Sequence, residues 1–266
     1  REDTLSYLSM TEPDIIIHAA GTVGGIAANK RFPAEFFTDN LQMGVNIICE
    51  SWRLCIPKVV IIGTVCSYGQ HCPVPFLEEN LWDEFPEPTN SAYGVAKRAL
   101  LTMSQSYRDQ YAANIIYLIP VNLVGPRDNF SLDSGHVIPN IIRKCVEAKE
   151  RGDKSITLWG SGKPTREFLN VKDAARGIVS ATEKYNGREP INLGTGEEIS
   201  IKNLAEMIAK LTDFQGEIIW DKSMPDGQMR RCLDVQKAKS FGFVATTPLE
   251  EGLRKTVEYF LESRPN

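Results

Sequence analysis

The chain has no long run of a single charge. Its 266 residues carry 30 Lys and Arg against 34 Asp and Glu, a net charge of −4. Without a basic stretch to meet a phosphate backbone, nucleic acid is not an expected partner. Long apolar runs are also missing. The longest, at 59–63 and 115–120, are strand-sized and far short of the roughly 20 residues that span a bilayer, so no membrane contact is expected. No secretory pattern opens the chain, which sets the expectation of a cytoplasmic protein. Histidines number only three and are scattered, so no metal site is expected. The six cysteines form no CxxC pair and read as free thiols of a reducing compartment. There is no internal repeat.

What is present is ordinary globular composition, 42 % hydrophobic and 24 % charged. It allows one large domain, or a domain with a smaller lobe. Residues 5–8 read as the tail of a helix. The β-branched run Ile15-Ile16-Ile17-His18 leads into Ala19-Ala20-Gly21, which suits a strand buried on both faces with a small-residue end. His18 reads as a packed strand-end residue, and 21–30 as a flexible loop. Pro33 starts a long helical pattern reaching Trp52. A buried strand at 58–63 runs into Thr64-Val65-Cys66-Ser67, and the Pro-rich stretch 70–90 reads as a surface excursion. A second long helix ends near residue 111, and a third strand covers 114–120. Strand, helix, strand, helix, strand argues a doubly wound, Rossmann-like parallel α/β sheet. Ligands in such sheets bind at the carboxyl ends of the strands. The strand ends near 19–21, 63–67 and 120–125 therefore define the expected rim. Residues 1–122 are assigned to this body. Residues 123–266 are assigned mainly to a smaller α/β lobe, interleaved with it and covering the strand ends.

The second long helix opens with Tyr93-Gly94-Val95-Ala96-Lys97. Positions i and i+4 share a helix face, so a phenol and an ammonium stand side by side. A nearby cation favours the phenolate, so the pair is expected to trade a proton with an alcohol or ketone.

Tyr-x-x-x-Lys behind a strand ending in a hydroxyl residue resembles the extended short-chain dehydrogenase/reductases. Further segments narrow the likeness: Val23-Gly24-Gly25-Ile26, Asp39-Asn40-Leu41, Glu87-Pro88-Thr89-Asn90, Gly125-Pro126-Arg127-Asp128-Asn129-Phe130, His136-Val137-Ile138-Pro139, Trp159-Gly160-Ser161-Gly162 and Pro225-Asp226-Gly227. In that order they resemble the GDP-L-fucose synthase family, whose members carry out 3,5-epimerisation and 4-keto reduction of a GDP-sugar with NADPH. The likeness runs from about Pro13 to the end of the chain.

The resemblance implies roles residue by residue. Thr64, Tyr93 and Lys97 would form the reductase triad, with Thr64 standing where the family usually has serine. Tyr93 would protonate the C4 oxygen. Lys97 would lower the tyrosine pKa and bind the nicotinamide ribose, and Asn40 would hold the lysine through the helix backbone. Cys66 and His136 would serve as base and acid for epimerisation, since unperturbed thiols and imidazoles titrate near neutral pH. Ala19, Ala20, Gly21, Gly63, Pro120, Asn122 and Leu123 would line the NADP(H) site, together with Thr64 and His136; NAD(H) is left open. Lys144, Trp159, Arg166 and Asp226 would grip the nucleotide sugar, Lys144 as a point charge where the family often has arginine. Arg230 and Arg231 are further candidates. The two long helices would pair in a homodimer. The family's Gly-rich phosphate loop has no counterpart before Asp14, so the adenosine-side contacts are expected outside these residues, and weak NADPH binding with them. Two other activities share most of these motifs: a sister reductase or 4-epimerase on another GDP- or UDP-sugar, and a non-catalytic nucleotide-binding homologue.

Overall fold

The computed structural model describes residues 1–264. Helix α1 (Glu2–Thr11) leads into strand β1 (Ile15–His18), then α2 (Ile26–Arg31) and α3 (Pro33–Arg53). Strand β2 (Lys58–Ile62), helix α4 (Ser91–Tyr111) and strand β3 (Ile115–Pro120) follow. These three strands, joined by the later strand β8 (Ile191–Leu193), form one parallel sheet in the order β1, β2, β3, β8. The long helices α3 and α4 pack against each other, and α4 also lies against the loop after β2. The two central strands explain the Val- and Ile-rich runs. Both are covered on two faces, and Val60, Ile61, Ile116, Leu118 and Ile119 are completely buried.

Beyond β3 the chain builds a second core and returns to the first. Strand β4 (Asn122–Val124), helix α5 (Val137–Arg151) and strand β5 (Ser155–Trp159) lead to β6 (Thr165–Arg166) and β7 (Phe168–Asn170). Helix α6 (Val171–Lys184) and β8 (Ile191–Leu193) then rejoin the main sheet, β8 pairing with β3. Strand β9 (Ile199–Ser200), α7 (Ile201–Leu211), β10 (Glu217–Asp221), α8 (Gln236–Lys239) and α9 (Leu249–Ser263) complete the order. The second core gathers Ile138, Ile142, Leu204, Ile208, Leu253 and Phe260 from α5, α7 and α9. The first core takes Leu169, Ile191, Leu193, Leu233, Phe241 and Phe243 from the later part of the chain.

Three expectations change. Strand β1 is not buried on both faces: Ile15 and Ile17 are 49 % and 43 % exposed. It is the edge of the sheet, and its outer face meets only an open groove lined by Val179, Thr182 and Glu183 of α6. Residues 26–30, expected to be part of a loop, lie in α2, which follows Gly25. The Pro-rich stretch 70–90 is anchored rather than superficial. Phe76 and Leu81 are fully buried, and Tyr68, Asn192, Glu78 and the Phe76 carbonyl form one buried hydrogen-bond network.

Candidate active site

The site begins where β2 ends. The chain leaves the sheet at Gly63 and Thr64 and turns through a short 3-10 helix, Val65–Ser67. The Thr64 hydroxyl accepts from the Cys66 N–H (3.2 Å) and fixes that turn. The turn then lies against the first turn of α4. A Cβ on Gly94 would stand 2.4 Å from the Cys66 carbonyl oxygen, so glycine permits this approach. The Ser67 hydroxyl donates to the Gly94 carbonyl, and Arg98 Nε donates to the Ser67 carbonyl. Thr64, Cys66 and Tyr93 are thereby brought together at the carboxyl end of the sheet.

Helical spacing places Lys97 one turn below Tyr93, with Nζ 5.9 Å from the centre of its ring. Lys97 is buried and donates to the Ile62 carbonyl at 3.0 Å. Burial lowers its ammonium to about 8. Burial, with a further contribution from Cys66, pushes the Tyr93 phenol up, and the Thr64 side chain acts in the other direction. Lys97 was expected to pull the phenol down. In this site the desolvation of a phenolate dominates, and the Tyr93 phenol keeps its proton at neutral pH. His18, buried beside Lys97, is lowered to about 4 by burial first and by the lysine charge second, so it is neutral at pH 7.

Among the described residues no direct hydrogen bond joins Asn40 to Lys97. The Asn40 amide donates to the Thr22 and Phe36 carbonyls (2.9 and 2.7 Å), tying the loop after β1 to α3. Its Oδ1 is buried without a partner. Ala19, Ala20 and Gly21 lie exposed beyond β1. A Cβ on Gly21 would meet Asn40 Oδ1 at 3.0 Å and Lys97 Nζ at 3.9 Å. On the next strand end Pro120 is partly buried and Leu123 exposed, while Asn122 donates to the Glu167 carbonyl (2.9 Å).

The substrate-side candidates separate into two groups. Arg166 faces the Cys66 loop. Burial lowers it to about 10, Arg231 adds to that effect, and Cys66, Glu87 and Asp226 oppose it. These four residues therefore lie within electrostatic reach of its guanidinium. Asp226 caps the turn after β5, accepting from the Ser161 N–H and hydroxyl at 2.6 and 2.8 Å. Lys144 and Trp159 are not part of this cluster. Lys144 donates to the Thr157 carbonyl (2.8 Å) beside β5, and burial lowers it. Trp159 is 54 % exposed, so it is not a core residue. His136 caps α5 at the surface, close enough to Asp128 to pull that carboxyl down against the upward effect of burial. No direct contact joins His136 to Cys66 among the described residues.

Two residues were not singled out, or were only weakly marked. Glu167 is completely buried. It accepts from the backbone N–H groups of Thr195, Gly196 and Leu233, pinning three segments around Arg166. A carboxylate inside the apolar strand pattern Phe168-Leu169 was the available signal. Arg231 reaches the Cys66 sulfur, a contact across 165 residues with no local sequence mark.

Residues 1–194 match the NAD dependent epimerase/dehydratase family. The chain belongs to this family. It is 41 % identical over 99 % of its length to a GDP-L-fucose synthase of Sinorhizobium fredii, covering 84 % of that protein. A GDP-L-fucose synthetase from Naegleria fowleri bound to NADP shares the fold with a TM-score of 0.88 and 32 % identity, covering 96 % of this chain and 79 % of that one. A GDP-6-OMe-4-keto-L-xylo-heptose reductase from Campylobacter jejuni overlays with a TM-score of 0.91 at 26 % identity, covering 99 % and 86 %. The family's dinucleotide fits what this chain offers. The exposed backbone at Gly21 stands beside the Lys97 ammonium, which has donors to spare beyond Ile62 and could meet a hydroxyl. No helix among the described residues is long and apolar enough to cross a membrane.

Proposed function

We propose that the protein converts GDP-4-keto-6-deoxymannose to GDP-L-fucose, inverting C3 and C5 and reducing C4. The observation that carries this reading is the Cys66 thiol in one cluster with the Tyr93 phenol and the Arg166 guanidinium. A plain 4-reductase or 4-epimerase needs the phenol and lysine but no thiol beside them.

NADPH, when bound, supplies the hydride that C4 receives. Lys97, with Asn40 and Gly21, would hold its ribose, and Gly63, Pro120, Asn122 and Leu123 would border the nicotinamide side. The chain's own residues handle the protons. The Cys66 thiolate removes the proton from C3 and, in a second round, from C5. Each removal leaves an enolate across the C4 ketone and a neutral thiol. His136 returns a proton on the opposite face of the ring, and bulk solvent resets both groups. The Thr64 hydroxyl donates to the C4 oxygen and polarises it. Tyr93, kept protonated by burial, gives its proton to that oxygen as the alcohol forms. Arg166 takes the diphosphate, because a half-buried guanidinium with no carboxylate salt bridge among the described residues favours a bound anion. Lys144, Trp159 and the turn held by Asp226 border the nucleoside. In this reading residues 1–122 form most of the dinucleotide body and 123–266 most of the nucleotide-sugar lobe. Helices α3 and α4 form the homodimer face, and the free thiols belong to a cytoplasmic setting.

The structural likeness to a GDP-heptose reductase favours one second reading, a reductase that does not epimerise. Turnover in deuterated water separates the two. NADPH oxidation with deuterium at C3 and C5 supports the synthase. NADPH oxidation with no exchange overturns it in favour of the reductase.

A further inference from the structure

The segment before Leu233 reaches back across the cleft to the loop that carries Cys66. Arg230 points outward and pairs with Glu198 at the surface. Arg231, next to it, is 8 % exposed and has no carboxylate salt bridge among the described residues. Such a charge is costly to bury, so its partners define its purpose. Nε donates to Gln228 Oε1 at 3.2 Å, and Nη1 donates to Cys66 Sγ at 3.6 Å. Gln228 is itself fixed, its amide nitrogen donating to the carbonyls of Gly69 (3.2 Å) and Gln70 (3.0 Å). Glu167 holds the backbone on either side. Its N–H donates to the Arg231 carbonyl, and its carboxylate accepts from the Leu233 N–H at 2.7 Å.

We propose that Arg231 is a positioning residue for Cys66, and that Gln228 is the strut that sets its reach. The inference rests on the reading of Cys66 as the proton-transfer group. A sulfur that loses and regains a proton during turnover needs a donor that stays with it as its charge changes. A guanidinium is protonated across the working pH range and presents its N–H groups in a rigid fork. One side of the fork is taken by Gln228 and the other by sulfur, so Cys66 is held inward toward Tyr93 and Arg166. The thiolate, once formed, has a charged neighbour already in place. Because Gln228 also grips the carbonyls of Gly69 and Gln70, the lobe and the thiol loop move as one unit.

The test reads Cys66 without needing turnover. The protein is labelled with iodoacetamide near neutral pH, and the rate at Cys66 is followed by peptide mass spectrometry against the exposed Cys55 as reference. Arg231→Gln and Gln228→Ala each lower the Cys66 rate relative to Cys55 by at least about fivefold, and Arg231→Lys recovers part of the loss. In Gln228→Ala, kcat for deuterium exchange at C3 and C5 falls with KM nearly unchanged, a split that general loosening of the lobe does not produce. Gln228→Ala also keeps the test usable if Arg231→Gln does not fold. Cys66 labelled at the wild-type rate or faster in Gln228→Ala, and in Arg231→Gln where that variant folds, overturns the proposal. Slower labelling in the variants of a protein that never exchanges at C3 or C5 upholds the coupling and overturns the synthase reading instead.

Discussion

Lys97 Nζ donates to the carbonyl of Ile62 at 3.0 Å from a side chain that is 2 % exposed. The lysine therefore carries its charge where water cannot solvate it, and burial lowers it to about 8. Below that value the folded state holds the ammonium at a cost. The cost is relieved as pH rises from about 8 toward 10.5, where the unfolded chain still binds the proton. A change of this size corresponds to roughly 3 kcal/mol at most. Lys97→Met keeps the apolar stem and removes the charge. It is expected to abolish reduction and yet to unfold at a higher temperature at pH 7, with about 1–2 kcal/mol gained after loss of the hydrogen bond. Melting curves of both proteins from pH 7 to 10 check this: the gap closes as the wild type loses its proton.

His18 gives the opposite pH signature. Its folded value of about 4 lies below the ordinary imidazole value, chiefly through burial. Both states are neutral above pH 7. As pH falls through 6.5 the unfolded chain takes the proton first, so stability is lost between about pH 6.5 and 4. His18→Leu removes this contribution. Urea unfolding at pH 7 and pH 5 is expected to show a smaller acid loss in the variant, by about 1–2 kcal/mol.

Tyr93→Phe separates the two halves of the reaction. It deletes the acid that serves the C4 oxygen and leaves the Cys66 turn in place, because that turn is held by Thr64, Ser67 and Arg98. NADPH oxidation is expected to fall by roughly 10²–10⁴-fold, the usual worth of a positioned acid. Exchange at C3 and C5, read by NMR, is expected to stay within about tenfold of wild type.

These expectations draw on parts of the protein that differ in how far the sequence discloses them. The Tyr93–Lys97 pair was legible because four-residue spacing on a helix is local geometry. The central strands were legible because a strand covered on both faces must be apolar throughout, as Val59–Val60–Ile61 is. Strand β1 has the same composition, but its burial depends on what covers Ile15 and Ile17, and no pattern within the strand records that. Helix α2 was hidden by Gly24-Gly25, a loop signal whose glycines instead pack on the backbone of residues 134–135. Prolines in 70–90 suggested a surface path, although Phe76 and Leu81 mark where it dives into the core. The partners of Asn40 and the contact between Arg231 and Cys66 arise from tertiary packing alone.

Glu167 offers a stability test of the lobe. Its carboxylate is fully buried and accepts from the Thr195, Gly196 and Leu233 N–H groups, which oppose the upward effect of burial. Glu167→Ala leaves the buried Leu233 N–H unsatisfied and the Thr195 and Gly196 N–H groups without their acceptor, and is expected to cost about 1–3 kcal/mol in urea unfolding. Glu167→Gln keeps one acceptor oxygen and is expected to cost less. Equal losses in the two variants would show that shape rather than hydrogen bonding matters there.

Proton transfer by Cys66 at C3 and C5 is measured most directly by deuterium incorporation from deuterated water into GDP-4-keto-6-deoxymannose, with NADPH oxidation followed in parallel, in wild type, Cys66→Ser and His136→Gln. Deuterium is expected at both carbons in the wild type, with a loss of at least about 10²-fold in each variant. NADPH oxidation with no deuterium at either carbon, or full exchange in Cys66→Ser, would contradict proton transfer by Cys66.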